Sequence, residues 1–235
     1  MPVITELRSP LTVEAITSSW GARRARLASA RVTAVLTELL ELAEVNAWIK
    51  PKISFDIWRV SSSGPVRIEL EGGVRLSSPA LNHQLPGATH IAAGVCTIGA
   101  ALEEQVRQWF AKGDRFRAVM LDEIGTHALF HLGNELESLF QLEAAQRGLD
   151  AGGVLSPGED GFHISQQAPV LGLARSDEVG VSQTTAGMLT PRKSLSMLVG
   201  FGKRMPKWTR GERCARCGAR ARCPHRCSQP VEVAT

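Results

Sequence analysis

Apolar residues recur at helical spacing from Trp20 to Asn46, where Leu27, Val32, Val35, Leu36, Leu39, Leu40 and Leu42 form one stripe and Arg23, Arg24, Arg31, Glu38 and Glu41 lie off it. Repetition every three or four residues predicts a long amphipathic helix, which Pro51 ends because proline brings no backbone N–H. Ile53 to Val60 then alternates in a strand pattern before a turn at Ser61 to Pro65. Val66–Leu70 and Val74–Leu76 flank Gly72-Gly73, a pair suited to a tight hairpin because glycine accepts positive φ. Thr89 to Val95 is dense in apolar and small residues and ends at Cys96-Thr97-Ile98-Gly99, after which Leu102, Val106, Trp109 and Phe110 resume the helical period. That order predicts strand, turn and helix.

Asp114 is placed to cap the next helix, whose stripe of Val119, Met120, Leu121, Ile124, Ala128, Leu132, Leu136, Leu139 and Phe140 runs on towards Arg147. So long a stripe must face a core. Gly148 to Gly153 ends it, and residues 154–158 make a short extended segment that runs into a loop. Ser165-Gln166-Gln167 opens a short helix ending near Ala174. Val179 to Leu189 and Ser194 to Gly200 are expected as two extended runs joined by the polar turn Thr190-Pro191-Arg192-Lys193. Strands and helices interleave irregularly, which favours an α+β arrangement over a regular parallel repeat.

The chain has 235 residues, enough to bury a large core, and an ordinary balance of apolar and charged residues. Its apolar runs are too short to cross a bilayer, and Met1 to Pro10 carries Glu6 and Arg8 without the apolar centre of a secretory signal, so no membrane partner and a cytoplasmic address are expected. The net charge of +4 comes largely from the C-terminal stretch. With no tyrosine and with tryptophans scattered along the chain, nothing interleaves stacking rings with that basic region, and a nucleic-acid partner is not expected.

Four of the five cysteines, Cys214, Cys217, Cys223 and Cys227, crowd into that stretch with the spacing Cys-x2-Cys-x5-Cys-x3-Cys. Gly218 and Pro224 suit sharp turns there. Thiolates this close share one metal centre when the chain folds around it. The compact run favours an iron–sulfur cluster; zinc is the alternative, with His225 able to replace one thiolate. Arg204, Lys207, Arg210, Arg213, Arg216, Arg220, Arg222 and Arg226 surround the knot and would partly neutralise it, or face an acidic partner. An idle, reduced, solvated tail is the bland alternative. His127 and His131 sit four apart on the long helix, without the glutamate that a zinc protease places after the first histidine.

Three stretches carry a resemblance. Val95-Cys96-Thr97-Ile98-Gly99 followed by Leu102-Glu103, then Leu121-Asp122-Glu123-Ile124-Gly125, then Ser156-Pro157-Gly158 leading to Leu189-Thr190-Pro191-Arg192-Lys193-Ser194-Leu195-Ser196, together resemble the activation domain of cobalamin-dependent methionine synthase and its stand-alone relatives. The match runs over roughly residues 85 to 203, fading before that. It implies a C-shaped α+β domain with a bent antiparallel sheet flanked by helices, which we assign to residues 1–203; the basic Cys-rich tail at 204–235 follows from its own residues. It also implies S-adenosylmethionine binding and work on a corrinoid, in which an inactive cob(II)alamin is reduced and remethylated. No substrate barrel and no cobalamin-binding Asp-x-His-x-x-Gly motif is present, so the corrinoid would be supplied by a partner corrinoid protein or corrinoid-dependent methyltransferase.

Two departures qualify the S-adenosylmethionine expectation. Members that bind it carry an arginine a few residues before the Pro-Gly and a tyrosine directly after; the corresponding positions here are Val154 and Glu159. Valine cannot form a bidentate fork on a carboxylate, and a carboxylate at Glu159 would repel another. Glu159 and Asp160 could instead favour a sulfonium or a ribose.

The candidate binding residues are Asp122, Glu123, Ser156, Pro157, Gly158, Glu159, Gln166, Gln167, Lys193 and Ser194. The resemblance implies that an acid at 122 or 123 contacts a ligand amine, although either would also serve as an ordinary exposed helical acid. A Pro-Gly loop lets backbone approach a ligand closely, glutamines at a helix start both donate and accept, and Lys193 and Ser194 could hold a carboxylate or a corrinoid side chain. Glu103 and Glu104 fit the positive end of a helix better than chemistry, and Cys96 fits a buried structural thiol. The first expectation is an accessory protein for reductive activation or remethylation of a partner's corrinoid. The second is a non-catalytic module with a zinc clip that has lost its nucleoside ligand; a methyltransferase acting on another acceptor ranks third, since no base or nucleophile stands out.

Overall fold

The computed structural model describes residues 5, 11–18, 20, 29–79, 81–159, 161–217, 220–221 and 223. Among the described residues, a six-residue helix α1 (Val13–Ser18) and a 16-residue helix α2 (Ala30–Val45) precede the sheet. The Ser29 hydroxyl accepts the Val32 N–H at 3.4 Å and so caps α2. The helix read from Trp20 to Asn46 therefore begins, among the described residues, at residue 30, and residues 21–28 lie outside them.

Six strands form one antiparallel sheet in the order β3-β2-β1-β4-β8-β5. They are β1 (Lys52–Ser63), β2 (Arg67–Leu70), β3 (Arg75–Ser77), β4 (Ala88–Thr97), β5 (Asp150–Ala151) and β8 (Ser194–Gly202). The Gly72-Gly73 hairpin forms as expected, with both glycines at positive φ. A register shift between Val60 and Ser62 marks a bulge in β1, the usual means of bending a strand away from its neighbour. Between the strands run α3 (Leu81–Gln84), α4 (Ala101–Ala111), α5 (Arg115–Gln146) and α6 (Gln167–Leu173), and α7 (Arg210–Arg216) follows β8.

β4 and β8 are buried on both faces, which explains their continuous apolar runs. Ala92 and Cys96 of β4, with Met197, Val199 and Phe201 of β8, face α1, α2, α4 and α5 in one core. Ile91, Ala93 and Val95, with Leu198, face α3, α6 and the segment around Leu155 and Phe162 in the other. Helix α5 spans the first core. Asp114 caps it by accepting the Arg117 N–H, and its 32 residues reach about 48 Å. Val119, placed on its apolar stripe by the sequence, is exposed.

The second correction concerns Val179 to Leu189, expected as one extended run. It opens with a 3-10 turn (Ser176–Val179) and then folds back as a hairpin of β6 (Ser182–Gln183) on β7 (Leu189–Thr190). Helix α6 is fixed beneath the sheet by its C-terminal carbonyls: Ser54 Oγ donates to the Ala174 carbonyl at 2.8 Å and the Trp58 indole to that of Leu173 at 3.0 Å. Arg175 then forks onto Asp56, with Nε and Nη2 each 2.9 Å from Oδ2.

The tightest approach of helix to sheet is at Gly94, where a Cβ would stand 2.7 Å from Phe140 Cζ and 3.0 Å from both Leu136 methyls. Gly94→Ala should lower the unfolding free energy by about 1–3 kcal/mol through overpacking, a shift that urea titration will register; an unchanged midpoint would show that α5 can retreat without loss.

Candidate functional site

The chain leaving α5 returns to the sheet through Leu155, whose N–H and carbonyl pair with Leu198 at 2.9 and 2.8 Å. That pairing sets the Pro-Gly loop against β8. Gly158 turns the loop at φ 94°, and its N–H donates to the Phe162 carbonyl at 2.8 Å. The loop, the start of α6, the β6–β7 hairpin and the start of β8 enclose a cleft of about 690 Å³. Ser156, Pro157, Gln167 and Ser194 line it, together with Ile164, Met188, Leu189, Arg192 and Leu195. Gln167 is buried, and its amide donates to Ser196 Oγ at 2.7 Å. Ser194 Oγ donates to the Pro191 carbonyl at 2.7 Å and lies in hydrogen-bond contact with Thr97 Oγ1 at 2.9 Å, tying the turn to β4.

A second cleft of about 680 Å³ lies between α4, α5 and the same turn, and holds Asp122, Glu123, Lys193 and Arg192. The candidates are thus divided between two clefts on either side of the turn, and Arg192 lines both. Lys193 is committed: its ammonium lies 2.8 Å from Asp122 Oδ1 and 2.6 Å from Thr126 Oγ1. Glu104 pairs with Arg107 at 2.6 Å, and the Arg107 guanidinium, by hydrogen bond and charge, holds the Glu104 carboxyl below the ordinary range. Glu103 Oε2 accepts the Arg192 N–H at 2.9 Å. The two acids do sit in the first turn of α4, as expected of a helix start, and Glu103 also pins the polar turn.

Three candidates stand apart from the cleft walls. Gln166 Oε1 accepts the Ser77 N–H at 2.9 Å and straps the loop to β3. Gly158 serves the turn itself. Glu159 accepts the Ser156 N–H at 3.4 Å and meets Arg213 Nη2 at 3.2 Å, so its charge is matched by α7. Val154 is 2% exposed, and its carbonyl accepts the Trp208 indole N–H at 3.0 Å. A Cβ at Gly153 would overlap that indole, and the Gly153 N–H donates to the Pro206 carbonyl at 2.9 Å. Residues 205–213 are therefore laid along the back of the Pro-Gly loop, a placement that nothing in the sequence pattern announced.

Cys214, Cys217 and Cys223 are half-buried; Cys227 and His225 lie outside the described residues. The Cys217 N–H donates to the Cys214 carbonyl at 3.3 Å and the Arg220 N–H to that of Cys217 at 3.0 Å. Among the described residues no three His, Cys, Asp or Glu side chains converge as a metal site would require. His131 Nε2 stands 3.5 Å from Glu135 Oε1, one helical turn on. Cys96 is wholly buried, and desolvation pushes its thiol up to about 12. Among the described residues no helix is long and apolar enough to cross a membrane.

No protein-family model and no curated protein matches the chain. Among solved structures, the MetH reactivation domain bound to AdoHcy is similar over 88% of this chain and 80% of that one, with a TM-score of 0.66 and 13% sequence identity. The chain shares that domain's fold, and the α+β class with an antiparallel sheet follows from it.

Gly153→Ala should displace Trp208 and with it the 205–213 segment, seen as a red-shifted tryptophan emission and faster amide exchange across 153–159; unaltered exchange would show that the segment does not hold the loop. In native alkylation at pH 8, Cys96 should stay unmodified until denaturant is added, as peptide mass spectrometry will read.

Proposed function

We propose that this chain is an accessory protein that sits against a corrinoid held by a partner corrinoid protein or methyltransferase and supports its reductive activation or remethylation. The observation that carries the reading is the shared fold, joined to a cleft in which the Pro-Gly loop and the Thr190–Lys193 turn face each other. At about 690 Å³ the cleft has the size of a small-molecule site. The solved neighbour holds AdoHcy, and we extend an S-adenosyl ligand to this cleft. The pairing of Glu159 with Arg213 supports this, because a matched carboxylate repels a ligand carboxylate far less than a bare one. In the adjoining cleft, Asp122 and Glu123 offer negative charge to a ligand amine, with Asp122 shared by Lys193.

The same reading treats residues 204–235 as a basic appendage in which Cys214, Cys217, Cys223 and Cys227 hold an iron–sulfur cluster, or zinc in its place. Soft thiolates suit either. A bound cluster supplies an electron, whereas zinc supplies only a structural clip. Through Trp208 and Arg213 this segment touches the loop that walls the cleft, so whatever orders it also steadies the loop.

Calorimetry against a cobalamin-loaded corrinoid protein, in the cob(II) and methylated states, tests the main claim. Binding in at least one state, strengthened by AdoHcy, is expected; absence of binding in every state ends it. Metal analysis with an anaerobic visible spectrum separates a brown iron–sulfur protein from a colourless zinc one.

A further inference from the structure

We propose that Arg192 is the anion anchor of the Pro-Gly cleft and receives the carboxylate of a thioether amino-acid ligand whose uncharged body lies along Pro157, Ile164, Leu189 and Leu195. The proposal rests on the reading of this cleft as an S-adenosyl site and names the residue that selects the ligand's charged end.

The charges around the cleft carry the argument. Arg192 is the one charged residue among the described residues that line it, and no carboxylate lines it to oppose an anion. Three other cations of the two clefts and of the Pro-Gly loop are engaged among the described residues. Lys193 is taken by Asp122 and Thr126, Arg107 by Glu104, and Arg213 by Glu159. The Arg192 guanidinium forms no ion pair or hydrogen bond among the described residues. Its main chain, in contrast, is fixed: the N–H is bound to Glu103, and the flanking Pro191 and Lys193 carbonyls accept from Ser194 Oγ and from the Ile98 N–H. A fixed turn thus presents an exposed, unpaired guanidinium at the cleft wall, and a planar guanidinium can take a carboxylate through two parallel hydrogen bonds.

The rest of the lining is mostly apolar, with Ser156, Gln167 and Thr184 among it. Gly187, at φ 80°, brings the β6–β7 hairpin against Ile164, where a Cβ would stand 2.8 Å from Ile164 Cγ1. Met188 beside it is 64% exposed although it lines the cleft, so a polarizable thioether stands open to whatever enters. A mostly apolar lining with one guanidinium at its edge fits a ligand whose body is uncharged and whose amino-acid end offers a carboxylate to the guanidinium, the amine being left to the acids of the adjoining cleft.

The experiment is calorimetry with S-adenosylhomocysteine and with its decarboxylated form, which keeps the nucleoside, the thioether and the amine and lacks only the carboxylate. The native chain should prefer S-adenosylhomocysteine by at least about tenfold, the worth of one charge-assisted pair. In Arg192→Ala the preference should vanish while the affinity for the decarboxylated form is kept; Arg192→Lys should restore part of it. Arg107→Ala, which removes an equal charge from the neighbouring cleft, should leave the preference intact. A preference that survives in Arg192→Ala, or equal affinities in the native chain, overturns the anchor while leaving the nucleoside reading in place. Failure of both ligands to bind the native chain overturns both.

Discussion

The antiparallel pairing of β4 with β8 is the constraint on which the rest depends. These strands occupy the middle of the sheet with a core on each face, so their backbone groups have no water to fall back on and must bond to each other. Fixing β8 fixes the turn that feeds it, and Thr97, at the end of β4, holds that turn through Ser194 and through the Lys193 carbonyl. Fixing β8 also fixes the Pro-Gly loop, because Leu155 pairs with Leu198. Both walls of the cleft are therefore extensions of one buried ladder.

Much of this was legible in the sequence. Alternation and glycine placement gave β1 and the Gly72-Gly73 hairpin, and the apolar stripe with Asp114 ahead of it gave α5 nearly to the residue. The Val179–Leu189 run departs from its expected form because length and apolarity do not tell an extended strand from a hairpin folded on itself; Gly187, between β6 and β7, is the available hint. Val119 fits the stripe yet is exposed, because periodicity alone does not register where a helix outruns its partner. The clefts themselves had no linear signature. Asp122 and Lys193 are far apart in sequence, and only the return of β8 beside β4 brings them within 2.8 Å.

Charge matching ties the candidate site together. An acid at Glu159 looks hostile to an anionic ligand when read alone, yet Arg213 arrives from α7 to meet it. A lysine in the polar turn looks available, yet Asp122 and Thr126 occupy it. What distinguishes one cation from the next is therefore not its presence in the sequence but whether the fold has already given it a partner, and long-range pairings of this kind are visible only in three dimensions.

The strand order has a bearing on how the protein comes to be made. β1 and β4 can pair as soon as residue 97 has left the ribosome, but β8 is not available until residue 202 follows. For that interval the inner edge of β4, rich in apolar residues, has open N–H and carbonyl groups, a template for unwanted strand addition. Closing so long a loop is slow. The early-synthesised α5, packed on β4 through Phe140 and Leu136, would shelter one face of the nascent sheet in the meantime, giving vectorial synthesis a partly covered intermediate instead of a bare one.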